Sequence, residues 1–224
     1  GTSGVIIPGY GNSAERGFFL ENGGYYWHVN DMLNVKLLGD IYSRGSWAIK
    51  PSITYKKRYK YSGSFSFSYA QNKTGIRKSS KYQSRNDFKI NWTHTQDPKA
   101  NPNHSFSANV NFVTSQYNKT NPSTTTDYLS NTFNSSIAYQ TSFFNKKLNF
   151  SLNAGHTQNT LDGKMTFTFP NFSLSSPKIY PFKKKVASGK QKWYEKIYFS
   201  YSMVGKNELT SVDSLLFEGN IWDK

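Results

Sequence analysis

Apolar and polar residues alternate with a period of two along most of this chain. In the segment 62–69, SGSFSFSY, aromatic residues occupy alternate positions and serines lie between them. The same pattern recurs at 88–93, 106–112, 148–154 and 165–169, with Ser, Asn, Thr or Lys on the second face. Because successive side chains of a strand point to opposite faces, the alternation predicts strands with one apolar and one small polar face.

Short turn signals separate the alternating runs, for example Asn30-Asp31 and Asp162-Gly163. They predict an antiparallel meander of about eleven strands in one domain, residues 1–224. The predicted strands begin near Val5, Gly17, Leu33, Ser46, Tyr61, Asp87, Ser105, Thr132, Leu148, Lys164 and Trp193. The connections after odd-numbered strands all lie at one end of such a meander, which is the outer end if the first strand runs outward, and most of the longer connections are among them.

Strand length and aromatic placement separate two architectures. A soluble sandwich turns its apolar faces into a shared core, whereas a membrane barrel turns them outward to lipid. The runs Gly17–Val29 and Ser46–Tyr59 have 13 and 14 residues, against about 5–6 in globular sheets and about 9–11 for a bilayer crossing. Tyr and Trp cluster near strand ends, as at Tyr25–Trp27, where barrels place aromatic girdles. The pattern therefore favours an all-β, antiparallel, up-and-down transmembrane β-barrel.

Composition limits the ligands, metal sites and reactions that we expect of this chain. The formal net charge of +15 favours encounters with anions such as anionic lipid, phosphorylated glycolipid or nucleic acid, and does not choose among them. The four histidines are scattered, there is no cysteine, and no Ser/His/acid spacing stands out, so we expect neither a metal site nor an enzyme. No nucleotide-binding loop is present, and we expect no cofactor.

Two segments resemble the β-barrel of the outer-membrane lipopolysaccharide-assembly family, LptD. Residues 169–202 contain FPNFSLSSPKIYPFKKK and then GKQKWYEKIYFSYS, which resemble the family's Tyr-Pro-Phe-Lys and Trp-Tyr-Glu-Lys-Ile segments. Residues 6–27, IIPGYGNSAERGFFLENGGYYW, resemble its first hairpin. The family-signature positions here are Tyr180, Pro181, Phe182, Trp193, Tyr194, Glu195 and Lys196. The second group is expected to open a strand, or else to form a turn packed at the membrane interface with Glu195 paired to a nearby Lys.

The resemblance implies a translocon barrel in the Gram-negative outer membrane that receives lipopolysaccharide from the periplasm and inserts it into the outer leaflet through a lateral seam at strand 1. It also implies a lipoprotein plug inside the barrel and a periplasmic lipopolysaccharide bridge that docks on a preceding jellyroll domain. About eleven strands would be the first part of such a barrel, without the jellyroll domain or the closing strands. The expected partners are thus lipopolysaccharide, the plug, the bridge and the membrane, and not nucleic acid.

Pro8, Gly23 and Gly24 are the lateral-gate candidates. Proline removes a ladder donor and is confined to sheet edges and weak pairings, and glycine weakens a strand interior. Members of the family that this chain resembles have a second proline where this chain has Gly23, so the chemistry differs here, and we expect weak pairing to be retained. A plain edge or bulge role is the alternative.

A second candidate set consists of basic residues between the fifth and sixth strands. They would face an anionic outer leaflet and contact lipid phosphates as point charges, or else remain solvated or extend along the membrane interface. They are Lys73, Arg77, Lys78, Lys81 and Arg85.

Two other functions stay open at this point. A general outer-membrane pore or adhesin-type barrel would share the alternation but would need neither Pro8 nor the Trp193–Lys196 motif. A soluble, basic β-sandwich that binds polysaccharide or nucleic acid through its aromatic residues would remain in buffer, whereas strands that face lipid require detergent.

Overall fold

The computed structural model describes residues 1–75, 82–184 and 192–212, and these form one antiparallel sheet of twelve strands. The strands are β1 Gly4–Ile6, β2 Gly9–Ser13, β3 Gly17–Asn30, β4 Leu33–Tyr42, β5 Trp47–Lys57, β6 Tyr61–Thr74, β7 Gln83–Gln96, β8 His104–Val113, β9 Thr132–Phe143, β10 Leu148–Asn159, β11 Lys164–Ile179 and β12 Phe199–Val212. Two short helices, α1 Tyr117–Thr120 and α2 Thr125–Leu129, lie between β8 and β9.

From β3 to β12 each strand pairs with the next one along the chain, while β1 and β2 both pair with β3. The all-β, antiparallel meander predicted from the alternation is therefore confirmed. The sheet is not closed, and its two edges are β1–β2 and β12. This is the arrangement expected of part of an up-and-down barrel.

The first and last predicted strands need correction. The first is two strands, because β1 ends at Ile6 and β2 begins at Gly9, and Pro8 between them has no N–H to donate to the ladder. The strand predicted from Trp193 begins only at Phe199, since Trp193–Lys196 form a 3₁₀ turn. The prediction placed the start of the strand at the aromatic pair Trp193-Tyr194, although regular alternation begins only at Ile197.

The sheet has an apolar face and a polar face, which we define by cross-strand pairs. Phe65 pairs with Trp92 and Tyr25 pairs with Leu37 on the apolar face. Many large apolar residues of that face are exposed, among them Tyr25, Trp27, Leu37, Ile41, Trp47 and Ile49. An exposed apolar surface of this extent is characteristic of contact with a partner or with lipid, and a barrel turns such a face toward lipid.

The polar face is covered in part by the connection between β8 and β9. Tyr117 of α1 is buried in a small cluster that includes Ala48 and Ala70, and burial raises the pKa of its phenol. Asp127 of α2 forms an ion pair with Lys89, whose Nζ lies 3.2 Å from Asp127 Oδ1. The connection thus packs across the polar face of several strands.

Connections alternate between the two ends of the sheet. We call the end that holds the β2–β3, β4–β5, β6–β7, β8–β9 and β10–β11 connections the loop end, and the opposite one the turn end. No helix in the described part of the chain has the length and apolar character to cross a bilayer.

Candidate functional site: a broken edge strand beside a glycine bulge

The edge strand is interrupted without a change of register. Three residues of β1 pair with β3, from Gly4 with Tyr26 to Ile6 with Gly24. Five residues of β2 continue the same register, from Gly9 with Glu21 onward. Ile7 and Pro8 lie between them, opposite Gly23 and Asn22, and are unpaired in the ladder. The edge therefore has a gap of two residue pairs at mid-strand.

The same level of β3 contains a bulge relative to β4. Leu20 pairs with Ile41, whereas Gly23 pairs with Gly39, so β3 has one extra residue over this interval. Asn22 takes a φ of 57°, which is uncommon outside glycine but tolerated by Asn. The bulge reverses the alternation in β3.

The reversal keeps apolar residues on one face along the whole seam. In β3, Leu20 precedes the bulge and Tyr25 follows it, and both are exposed on the apolar face. In the edge strand, Val5 precedes the gap and Tyr10 follows it, paired with Tyr25 and Leu20 respectively. The gap in the edge strand and the bulge in β3 are thus two parts of one irregularity.

Pro8 and Gly23 contact each other across this irregularity. A Cβ atom added to Gly23 would lie 2.9 Å from Pro8 Cβ, 3.2 Å from Cγ and 3.3 Å from Cδ. Ordinary carbon–carbon contacts are about 3.5–4.0 Å, so any side chain at position 23 would have to displace the proline ring. Glycine at this position lets the ring lie directly against the β3 backbone.

Gly24 has a different reason to be glycine. A Cβ there would overlap the backbone carbonyl of Leu37 in β4. The absence of a side chain at Gly23 thus makes room for Pro8 of the edge strand, and its absence at Gly24 makes room for the backbone of β4.

A polar cluster fastens the bulge to the rest of the sheet. The Asn22 N–H donates to Asp40 Oδ1 at 2.8 Å, and Lys50 Nζ lies 2.5 Å from Asp40 Oδ2. The same ammonium donates to Asn22 Oδ1 at 3.1 Å. Asp40 is buried, and a buried carboxylate with an ion-pair partner and a backbone donor is well compensated for desolvation. The β4 side of the bulge is thus bound firmly, while the Pro8 side lacks ladder bonds.

The β4–β5 connection holds the loop end of the edge strand. Arg44 Nη1 donates to the carbonyls of Ala14 and Glu15, both at 2.9 Å. The Arg16 guanidinium lies over the Tyr42 ring, 4.2 Å from its centroid. These contacts keep the β2–β3 hairpin in place, so the weakest part of the edge lies around Pro8 and in the short strand β1.

The structure brings the three gate candidates together, whereas the family-signature positions lie far along the sheet. They form the β11–β12 connection at the turn end, where Tyr180 packs on Tyr198 at 5.6 Å between ring centroids. Trp193 is 78% exposed. The buried Glu195 accepts a hydrogen bond from the Lys192 backbone N–H at 3.2 Å, which caps the 3₁₀ turn. Among the described residues this backbone group, and not a Lys side chain, is the carboxylate's partner.

The candidate phosphate contacts do not share one face. Arg85 pairs with Asn72 on the polar face, and Lys73 is the neighbour of Asn72 in the same strand, so the two basic side chains point to opposite faces. Arg77, Lys78 and Lys81 lie outside the described residues. Within the ranges that the structure describes, no group of three or more His, Cys, Asp or Glu side chains could hold a metal ion.

Sequence reasoning missed Asn22, Asp40 and Lys50. The triplet Asn22-Gly23-Gly24 does contain a signal, since Asn before Gly favours a left-handed backbone and hence a bulge. Nothing local marks Asp40 or Lys50, because their role depends on the pairing of three strands.

Comparison with known proteins agrees with the geometry. The family model described as LptD protein matches residues 1–224. A comparison with curated proteins finds no match.

Proposed function

Because this chain belongs to the LptD protein family, whose members transport lipopolysaccharide and assemble it in the outer membrane, we propose that the edge strand β1–β2, beside β3, forms a lateral seam through which the lipid leaves. The family acts in transport and assembly rather than as an enzyme. The observation that supports the seam most strongly is the gap at Ile7–Pro8 against Gly23.

The two faces of the sheet suit an amphipathic cargo. Sugar and phosphate groups need a polar path, which the polar face offers, while acyl chains need the lipid that the apolar face contacts. A lipid that leaves sideways must separate the edge strand from its neighbour β3. Each intact backbone hydrogen bond between the two contributes about 0.5–1.5 kcal/mol. At the gap two residue pairs have no ladder bonds to break, so separation begins there at lower cost.

The remaining features of the proposal concern the rest of the assembly. We place residues 1–224 as the first strands of a larger barrel in the Gram-negative outer membrane, with the edge β1–β2 meeting a closing strand. A lipoprotein plug in the barrel and a periplasmic bridge that docks on a jellyroll domain would complete the path. The open edges of this sheet support such completion, because unpaired edges are aggregation-prone unless paired or covered.

The test uses a photo-crosslinking residue at Ile7 in the full-length protein in cells. Ile7 is 86% exposed and adjoins Pro8. Ile49, which is exposed on the apolar face of β5, is the matched control for contact with resident lipid. We expect a lipopolysaccharide adduct at Ile7 that disappears when the supply of the lipid is stopped, while any adduct at Ile49 persists.

Absence of an adduct at Ile7 in a correctly assembled barrel would refute the seam. The same conclusion would follow if the two positions responded identically when the supply is stopped.

A further inference from the structure

A polar pocket of about 170 Å³ lies at the loop end of the polar face. The β2–β3 hairpin, the adjoining ends of β6 and β7, and helix α1 line it together. Its charged lining residues are Glu15, Arg16, Arg85 and Lys119, and its uncharged ones include Asn72 and Thr120. Three elements distant in sequence thus bring three cations around one cavity.

The two arginines are held in place by other contacts. Arg16 Nη1 donates to Asn121 Oδ1 at 2.9 Å, a contact between residues 105 positions apart. Arg85 Nε donates to Asp87 Oδ2 at 3.0 Å, and its Nη2 donates to Thr120 Oγ1 at 3.1 Å. A guanidinium oriented in this way loses less conformational freedom when it binds an anion.

The balance of charge in the pocket is positive. Asp87 is buried beneath Arg85 and offsets its charge, and Glu15 is the one carboxylate in the lining. Among the described residues no carboxylate lies within 4.0 Å of the Arg16 guanidinium or the Lys119 ammonium. An excess of one positive charge remains, located mainly at Arg16 and Lys119.

The connection that covers the pocket also has unfilled hydrogen-bonding capacity. Asn118, next to Lys119, is 5% exposed, and neither its Nδ2 nor its Oδ1 has a partner in the described part of the chain. Asn121 Nδ2 is likewise buried without a partner. Buried polar groups normally find partners, and these two asparagines adjoin the lining residues Lys119 and Thr120 without lining the cavity themselves.

We propose that this pocket binds a phosphate or carboxylate group on the sugar portion of the transported lipid. The inference rests on the proposed function and deepens it by assigning a site to the head group. Two oriented guanidinium groups and the exposed Lys119 ammonium around a partly enclosed polar cavity suit an anionic oxygen cluster, and the neighbouring hydroxyl and amide groups suit sugar hydroxyls.

The position of the pocket agrees with a lipid that spans both sites. Ser13 lines the pocket, and Pro8 lies five residues away along the edge strand, about 17 Å at roughly 3.3 Å per residue. At a strand tilt of about 35–45° this is about 12–14 Å of depth, close to half of a hydrocarbon core of about 30 Å. A head group in the pocket therefore leaves acyl chains at the depth of the gap beside Pro8.

The experiment places a photo-crosslinking residue at Gln83, which lines the pocket, in the full-length protein assembled with its partners. Capture of lipopolysaccharide is compared among Lys119→Gln, Lys119→Arg and Lys164→Gln. Lys164 is the matched control, an exposed lysine at the same end of the sheet. We expect Lys119→Gln to reduce capture about three- to tenfold, the range between an exposed ion pair and a charged hydrogen bond. Lys119→Arg should restore capture, and Lys164→Gln should leave it unchanged.

Two further arms identify the anion. Lipopolysaccharide stripped of its phosphates should lose capture at Gln83 if the group is a phosphate, and should keep it if the group is a sugar carboxylate. If the assembled protein binds inorganic phosphate but no lipopolysaccharide is captured at Gln83, the pocket takes an adventitious ion only, which would overturn the proposal.

The outcome separates this proposal from that of the seam. An adduct at Ile7 together with capture at Gln83 that is insensitive to Lys119→Gln would overturn the pocket and retain the seam. Capture at Gln83 that depends on Lys119, without an adduct at Ile7, would overturn the seam and retain the pocket.

Discussion

The contact between Pro8 and Gly23 makes a quantitative prediction about the coupling of these two residues. In Gly23→Ala the new methyl group would lie 2.9 Å from Pro8 Cβ, at least about 0.6 Å inside ordinary contact. Overpacking of this kind costs about 1–3 kcal/mol. A gain of about 0.4–1 kcal/mol from lower unfolded-state entropy opposes it.

The cost depends on the proline ring. Pro8→Gly removes all three ring carbons that the methyl group would meet, so Gly23→Ala should be destabilising with Pro8 present and close to neutral in Pro8→Gly. We expect a coupling free energy of about 1–2 kcal/mol in a double-mutant cycle, which cancels the backbone effect of each substitution alone.

The assay is unfolding of the full-length barrel in detergent, measured for the four proteins of the cycle. Gly39→Ala is the matched control, because Gly39 pairs with Gly23 and a Cβ there would lie at an ordinary 3.5 Å from the Ala48 carbonyl. It should show no coupling to Pro8→Gly.

A parallel measurement in cells follows sensitivity to large antibiotics. Gly23→Ala should raise it by displacing the edge strand, and Pro8→Gly should suppress that rise. A coupling free energy below about 0.5 kcal/mol, the limit of ordinary additivity, would refute the claim that Pro8 packs on Gly23.

Two more predictions concern the bulge. Gly24→Ala should sharply lower the amount of assembled barrel and resist rescue by Pro8→Gly, because its methyl group meets the backbone of Leu37 in β4 rather than the edge strand; rescue by Pro8→Gly would contradict this. Asp40→Asn should lower the free energy of unfolding by about 2–3 kcal/mol, since Lys50 is only 22% exposed and loses its carboxylate. Asp40→Asn combined with Lys50→Met should recover part of that loss, and no recovery would count against the ion pair.

The error at the last strand shows what period-two alternation misses. The alternating run begins at Ile197, and the sequence-based prediction extended that strand backward to the aromatic pair Trp193-Tyr194. The local signal for the 3₁₀ turn is Glu195, which follows Lys192 by three residues. The Glu195 side chain accepts a hydrogen bond from the Lys192 backbone N–H. Period-two alternation cannot detect such a cap, because it counts polarity and ignores hydrogen bonds between a side chain and the backbone.

The sequence by itself determined the strands between the first and the last, their antiparallel order and the break in the ladder at Pro8, because alternation, turn residues and the missing N–H of proline are local properties of the chain. The tertiary structure decided that Pro8 meets Gly23, that Asp40 and Lys50 hold the bulge, and that Arg16 lies beside Asn121. These contacts depend on register, since a shift of one residue moves every side chain of a strand to the other face. Register follows from all the ladders and bulges of the sheet together, and no single segment of the sequence contains it.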